Sequence, residues 1–311
     1  MSLNFFSMSV KKNFALILIL SVLFLSSRES DAQKGSGTRI EYTISMENPN
    51  NHYFHVSLTY SGLRDKSVEL KLPAWTPGYY MILDYAKYVI EFKASYGSGR
   101  ILDWKKTSKN RWKIDTDKTD VLKVSYDVFA FRTSVADSFL DDGRGFISPT
   151  GIFMHPAGQK DHPVTVTIIP YEKFTEISTG LDPVPGRADT YSASDFDVLY
   201  DCPVLAGNQE ILKFETGGIP YTIAAEKLGN IDRSKLVEDF KKIVETATSV
   251  IGEVPYKHYT FIMMNRGMGG LEHTNSMAVF TNRLDFNSTE LSDGWLSFIA
   301  HEIFIINCST F

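Results

Sequence analysis

The sequence predicts an α+β protein in which an N-terminal antiparallel β-sandwich domain precedes the incomplete start of an α/β domain. From residue 38 to about residue 215, apolar and polar residues alternate in short runs, the period-two pattern of half-buried strands. Turn residues separate the runs, and no long helical pattern interrupts them. Helical spacing and a continuous apolar run follow after Gly207. We therefore predict two domains, 38–207 and 208–311.

The strands of the first domain follow from this alternation. Apolar residues occupy every second position from Ile40 to Met46, and the stretch from His52 to Tyr60 repeats the pattern. Further candidate strands, each bounded by polar or turn residues, are 67–72, 87–95, 110–115, 121–131 and 164–169. Aromatic residues make up 13% of the chain, a composition that favours β-rich structure.

The second domain is predicted to mix strands and helices. Apolar residues fall at helical spacing from Leu236 to Ile251, with Asp232 or Ser234 available as the N-cap and Gly252 as the stop. The segments 219–225 and 259–264 predict strands, and 291–306 predicts a second helix. Strand, helix, strand and helix in this order are typical of an α/β segment.

The N-terminus has the pattern of a secretory signal peptide over residues 1–32. Lys11 and Lys12 precede an apolar run of about a dozen residues, and a polar stretch ends at Ala32. The run is short for a membrane span, so we expect export to the periplasm or the exterior without a stable membrane anchor; an uncleaved anchor is the alternative. The net charge of -5 gives no electrostatic reason to expect nucleic-acid binding.

The turn Pro73-Ala-Trp75-Thr-Pro77-Gly78-Tyr79 combines rigid and aromatic residues. Proline and glycine set the bend, and we expect Trp75 to fill the edge of a core. The turn is accordingly interpreted as structural.

A helix carrying His301-Glu302 contains half of a zinc-protease motif, His-Glu-x-x-His. The fifth position of the motif is Ile305, which offers no lone pair. Catalytic zinc usually takes three protein ligands, and Cys308 lies about 10 Å along the helix from His301, too far to share one tetrahedral site. A buried, hydrogen-bonded histidine is the structural alternative.

A glycine-rich stretch precedes this helix, with its His273 about 28 residues before His301: Arg266-Gly-Met-Gly-Gly-Leu-Glu272-His-Thr-Asn275-Ser276. Glycines allow close approach of a ligand to a strand edge, and a carboxylate there can pair with the free α-amine of a peptide. The candidate substrate-binding residues are Gly269, Gly270, Leu271, Glu272, His273 and Asn275. A glycine-rich loop with a solvated Glu272 is the alternative.

These stretches in this order resemble the glycyl aminopeptidase family of zinc metallopeptidases. The similarity is carried by five segments: Leu72-Pro-Ala-Trp-Thr-Pro-Gly78 with Asp84-Tyr85, Tyr126-Asp-Val-Phe-Ala-Phe131, Phe139-Leu-Asp-Asp-Gly-Arg-Gly-Phe146, Phe196-Asp-Val-Leu-Tyr-Asp-Cys-Pro203, and Gly269-Gly-Leu-Glu-His273 with Asn275-Ser276. The resemblance implies an N-terminal β domain, a thermolysin-like catalytic domain, and removal of N-terminal Gly or Ala residues from peptides.

The resemblance also implies roles for individual residues. His301 matches the first zinc ligand, Glu302 the catalytic general base, and Glu272 the residue that faces the substrate amine. The chain departs from the family at Ile305, where the family has the second His ligand, and the third ligand is expected beyond Phe311. Zinc is thus expected in the full-length parent and not in this chain.

Three hypotheses remain open at this point. The first is the N-terminal portion of a secreted zinc aminopeptidase that is catalytically incomplete as written. The second is a non-catalytic module that binds peptides or a protein. The third is a decayed gene product, for which exposed apolar residues are expected on the last helix, at Trp295, Phe298, Ile299 and Ile303.

Overall fold

The structure, a computed structural model, describes residues 37–252, 254–281 and 289–309. The predicted signal peptide at 1–32 and the end of the chain at 310–311 lie outside the described residues. No helix in the described part of the chain is long and apolar enough to span a membrane.

Short strands dominate the chain up to Gly207. They are β1 (Arg39–Ser45), β2 (Tyr53–Ser61), β3 (Ser67–Lys71), β4 (Val89–Tyr96), β5 (Trp104–Ser108), β6 (Arg111–Asp115), β7 (Val121–Phe129), β8 (Phe139–Leu140), β9 (Arg144–Ile147), β10 (His155–Pro156), β11 (Val164–Ile169), β12 (Glu176–Thr179), β13 (Asp182–Pro183), β14 (Thr190–Ala193) and β15 (Val204–Gly207). One short helix, α1 (Phe196–Tyr200), precedes β15, with the Asp195 side chain as its N-cap. We call residues 38–207 the β module.

The strands of the β module form three sheets. Their orders are β13-β14-β11-β1-β2-β7-β4, β10-β3-β6-β5 and β12-β15-β9-β8. The alternation predicted the buried faces correctly: in β1 and β2 every second side chain is buried, in a core that also contains Trp112 and Tyr126. Alternate burial is what a sheet with one face on a core requires.

The structure differs from the predicted antiparallel sandwich in one pairing. Strand β1 pairs with β11 in parallel, with Ile40 opposite Val164. A parallel pair needs a crossover connection, and the long stretch between the two strands supplies one. Two predicted strands differ from the observed ones by two residues at one end, since residues Tyr85–Tyr88 form a 3-10 turn before β4 and β7 ends at Phe129.

Among the described residues after Gly207, one sheet is covered by two helices. This segment contains β16 (Glu210–Thr216), β17 (Ile219–Ala225), α2 (Arg233–Ile251), β18 (Tyr259–Asn265), β19 (Gly270–His273), β20 (Ser276–Thr281) and α3 (Thr289–Ser309). The sheet order is β16-β17-β18-β20-β19, which leaves β19 at an edge. Helix α2 begins at the predicted N-cap Asp232 and ends at Gly252, whose φ is +91°.

Helix α3 packs its apolar residues inward. Trp295, Ile299 and Ile303 are 7%, 0% and 1% exposed, in a core shared with α2 and the sheet. The expected exposure of these three residues was therefore wrong, and Phe298 is only half-buried. The sheet and α2 already cover this face, because the parallel strands β17 and β18 place α2 beside α3.

Candidate functional site

The two residues of the His-Glu motif on helix α3 differ in their exposure to solvent. Glu302 is 6% exposed, whereas His301 is exposed to solvent. Neighbouring residues on a helix point about 100° apart, so only one of the two can face the sheet. The predicted general base is therefore the residue that the fold holds in place.

Strand β19 brings the glycine-rich stretch against α3. A methyl group on Gly270 would lie 2.8 Å from Cζ of Phe298 and 3.3 Å from Oε1 of Glu302. Glycine is needed here because contacts below about 3 Å force the strand and the helix apart. Gly269, immediately before the strand, has a φ of +93°, a conformation that other residues adopt with strain.

Glu272 and Glu302 form a pair of carboxyl groups between the strand and the helix. Burial, the hydrogen bond with Glu272 and the negative charge of Glu272 raise the pKa of Glu302 to about 7. Two carboxylates this close repel each other when both are ionised, which favours retention of one proton by the pair. The pair can either share that proton or accept a cation in its place.

The opposite face of β19 is held by the β module. His273 Nδ1 lies 2.9 Å from Oδ1 of Asp201, and the backbone N–H of Thr274 donates to Oδ2 of the same carboxylate at 2.8 Å. Asn275 Nδ2 donates to the Gly180 carbonyl at 2.5 Å. The predicted substrate-binding residues therefore divide, since Gly270 and Glu272 face α3 whereas His273 and Asn275 fix the strand to the β module.

The negative charge of Asp201 suits it to hold the end of β19. Burial raises its pKa, but the hydrogen bond and charge of His273 and the Thr274 N–H outweigh burial and hold the pKa below its usual value. An ionised Asp201 accepts both hydrogen bonds at the end of β19. His273 is 4% exposed, and its Nε2 has no hydrogen-bond partner in the described part of the chain.

The Pro-Gly turn of the β module touches the same strand. A methyl group on Gly78 would lie 2.9 Å from Cδ1 of Leu271 and 3.4 Å from Oε1 of Glu272. Trp75, in contrast to the expectation, fills no core edge and is 53% exposed. The interpretation of this turn as purely structural was wrong for Trp75, because the bend directs the backbone rather than the indole toward the neighbouring elements.

A buried arginine of the β module supports the strand that leads into the glycine-rich stretch. Arg144 Nη1 donates to the Asn265 carbonyl at 2.7 Å and to both carboxylate oxygens of Glu226 at 3.1 Å. Glu226 in turn accepts the Asn265 N–H at 2.7 Å. The end of β18 is thus held by charge-assisted hydrogen bonds just before the chain turns toward β19.

The residues that the structure describes do not fit a catalytic zinc ion. No three His, Cys, Asp or Glu side chains among them are arranged to hold a metal, and a catalytic zinc takes three protein ligands. Ile305, at the position of the second His, is partly buried and apolar. No catalytic step through zinc is therefore derived for this chain.

Sequence reasoning missed three residues of the site: Asp201, Gly78 and Arg144. Each lies in a segment that carries the family resemblance, so the sequence pointed to the segments but not to the contacts. The three residues are far from β19 along the chain. Asp201, for example, is 72 positions from His273, and local periodicity contains no information about such contacts.

Residues 41–208 match the model of the Peptidase M61 N-terminal domain. Among solved structures, the chain is similar to an aminopeptidase N family protein from Idiomarina loihiensis, with 32% identity and a TM-score of 0.81 over 86% of this chain. The chain spans about half of that protein, 47% of its length. No curated protein matches the chain.

Two weaker similarities involve Deinococcus radiodurans. Its M1 zinc metallopeptidase has 12% identity and a TM-score of 0.48, with 83% of this chain and 63% of that protein covered. A mutant of the enzyme bound to a Tyr-Ser-Ala substrate has 11% identity and a TM-score of 0.46, with 83% and 62% covered.

Proposed function

Because the chain belongs to the family defined by the Peptidase M61 N-terminal domain, we propose that it is part of an exported zinc-dependent aminopeptidase that removes N-terminal Gly or Ala residues from peptides. The observation that carries the proposal is the position of Glu272. Its carboxylate lies on an edge strand, beside Glu302 of the His-Glu helix and against Gly78 of the β module. A carboxylate at a strand edge can form a charge-assisted hydrogen bond with the free amine of an extended peptide.

The strand supplies the second half of peptide recognition. In the described sheet β19 pairs only with β20, so its outer edge offers backbone groups to another extended chain. A peptide added along this edge forms main-chain hydrogen bonds, and Glu272 then selects the end that carries a positive charge. We expect the scissile bond of such a peptide to lie close to Glu302, which is hydrogen-bonded to Glu272.

In the complete enzyme, zinc would lower the pKa of its bound water and polarise the peptide carbonyl. We assign proton transfer to Glu302 and binding of the substrate amine to Glu272, and the hydrogen-bonded carboxyl pair supports this assignment. Because Ile305 provides no second ligand, we expect this chain to bind peptides without hydrolysing them. Chelator-sensitive release of anilide from Gly- or Ala-anilides by the purified chain would contradict that expectation.

The amine-binding role is tested with matched peptides. Isothermal titration of the purified chain with Ala-Gly-Gly amide and its N-acetylated form should show at least tenfold weaker binding of the acetylated peptide, since a lost charge-assisted contact costs about 1.5–3 kcal/mol. Glu272→Gln should abolish this difference. Glu215→Gln, a change on β16, serves as the control and should preserve it.

The second candidate function is a binding module that recognises peptides independently of their amino terminus. The observation in its favour is that no three His, Cys, Asp or Glu side chains among the described residues are arranged to hold a metal ion. Peptide binding that is equal for free and acetylated peptides, and that survives Glu272→Ala, would favour this function over the first.

Export is a further part of the proposal. The basic and apolar pattern of the N-terminus supports cleavage after about residue 32. Expression of the whole gene followed by N-terminal sequencing of the exported protein tests this part, and a mature protein that retains Lys11 and Lys12 would contradict it.

A further inference from the structure

The loop of residues 74–83, which we call the Pro-Gly loop, is closed at its base and bent at its tip. The Leu83 N–H donates to the Ala74 carbonyl at 2.7 Å, and the Tyr79 N–H donates to the Thr76 carbonyl at 3.1 Å. With Pro77 and Gly78 at the two central positions and a φ of +74° at Gly78, the tip is a type II turn. The loop therefore has a defined shape.

The base of the loop is fixed to the β module by buried hydroxyl groups. Thr76 is 2% exposed, and its Oγ1 is hydrogen-bonded to Tyr85 Oη at 2.5 Å and to Thr150 Oγ1 at 2.6 Å. Tyr85 in turn donates to the Ala136 carbonyl at 2.6 Å. A fully satisfied buried network of this kind gives the loop a single position.

The same loop leaves four large apolar side chains in solvent. Trp75, Tyr80, Met81 and Ile82 are 53%, 98%, 61% and 74% exposed. Exposed apolar residues gathered on one rigid segment are typical of a contact surface, whereas singly scattered ones are not. Tyr79, between them, instead packs with Leu271 in the cluster beneath β19.

The position of the Pro-Gly loop relates this surface to the carboxyl pair. Gly78 lies next to Glu272, whose Oε1 would be 3.4 Å from a methyl group on Gly78, and every exposed apolar residue of the loop lies within four positions of Gly78. At about 3.5 Å per residue, none of them is farther than about 14 Å from Gly78 along the backbone. A peptide held at Glu272 by its amine spans the same distance with its first three or four residues.

We propose that the Pro-Gly loop is a substrate-binding wall that contacts apolar side chains at the second and third residues of the bound peptide. This rests on the proposed function, because Glu272 must hold the amine for the register to be defined. The carboxyl pair attracts the positive amino terminus, and the adjoining apolar surface takes the uncharged side chains that follow. The ligand class is therefore a peptide with a free amine and an apolar second or third residue.

The experiment compares two peptides that carry the same single positive charge, with the full chain as the binding protein. Gly-Phe-Ala amide should bind about tenfold more tightly than Gly-Ser-Ala amide in isothermal titration, as expected from partial burial of a phenyl ring. Trp75→Ala and, separately, Tyr80→Ser should each reduce that ratio at least threefold. Tyr80 is almost fully exposed, so its replacement leaves the fold intact.

Trp104→Ala is the matched control. Trp104, on strand β5 of the β module, is 41% exposed, and its ring packs against that of Phe92 on β4. Its replacement should leave the Phe/Ser ratio unchanged. A ratio that falls equally in the control variant, or that is unchanged in both loop variants, overturns the proposal.

The two proposals fail in different ways. If N-acetylation and Glu272→Gln weaken both peptides equally but the loop variants leave the Phe/Ser ratio unchanged, the amine site stands and the substrate-binding wall is refuted. If the loop variants change the Phe/Ser affinity ratio while acetylation has no effect on binding, the amino group does not set the position of the peptide and the amine site is refuted. Absence of binding by either peptide at millimolar concentration overturns both.

Discussion

The two halves of the candidate site are supported very differently. Strand β19 is held on one face by Asp201 and on the other by the close approach of Gly270 to α3, and Gly78 of the β module lies against Glu272. His301, on α3, is exposed, and the residue four positions later is Ile305. The part that would hold a peptide is therefore built by long-range packing, whereas the part that would hold a metal depends on the identity of single residues.

The largest effect is expected where the β module supports the end of β18. Arg144→Met removes the partner of Glu226, and because the two side chains are only 7% and 18% exposed, the change should destabilise the chain by about 3 kcal/mol in urea unfolding. Lys235→Met, which breaks an exposed pair with Asp239, should cost less than about 1 kcal/mol. Similar losses of unfolding free energy in the two variants would show that the buried Arg144–Glu226 pair supports the fold no more than the exposed Lys235–Asp239 pair does.

Gly78→Ala tests the contact between the Pro-Gly loop and β19. Gly186 has the same φ of +74° but open space around it, so Gly186→Ala measures the backbone strain alone. Gly186→Ala should lower the free energy of unfolding by about 1 kcal/mol. Gly78→Ala should lower it by about 1–2 kcal/mol more, because the added methyl group lies too close to Leu271. Equal unfolding free energies for the two variants would show that the loop does not press on the strand.

Asp201→Asn tests the anchor at the end of β19. The change removes the charge that accepts from His273 and Thr274 and should cost about 1–2 kcal/mol. Amide hydrogen exchange at Thr274 should accelerate in the variant. Asp197→Asn, on the same short helix but paired with Lys160 in solvent, should leave that exchange rate unchanged; if it does not, the effect belongs to α1 and not to the anchor.

The pH dependence of the unfolding free energy, measured without peptide or metal ions, tests whether Glu302 retains a proton beside Glu272. Since the folded chain raises the pKa of Glu302 from 4.5 to about 7, it retains a proton that the unfolded chain has lost. The contribution of this group is present below about pH 4.5 and is lost as the pH rises toward 7. The difference in unfolding free energy between the chain and Glu302→Gln should change by about 3 kcal/mol over this interval, and a constant difference would refute the pairing.

The smallest expected effect concerns the unsupported half of the site. Ile305→His places a second imidazole four positions from His301 on one helix face, as the zinc motif requires. Zinc affinity, measured by competition with a chromogenic chelator, should rise about tenfold, equivalent to about 1.4 kcal/mol. Ala300→His, which adds an imidazole beside His301 on another face, should give no such gain, and an equal gain would indicate nonspecific binding.

The sequence predicted the local structure well because its information is periodic. Alternation located the buried faces of β1 and β2, and the helical spacing, Asp232 and Gly252 located α2 with its ends. The glycine-rich stretch was expected at a strand edge, and β19 lies there. The roles of Glu272, His301 and Glu302 in substrate or metal binding stay predictions that the experiments above address.

The tertiary structure decided which distant residues meet. Neither the Asp201–His273 contact nor the one between Gly78 and Glu272 follows from spacing, and Trp75 and Trp295 have the opposite exposure to that expected. Periodicity reports the environment of a residue relative to its neighbours on one strand or helix. Which elements then cover that face depends on sheet order and helix packing, and these bring residues together regardless of their separation in the chain.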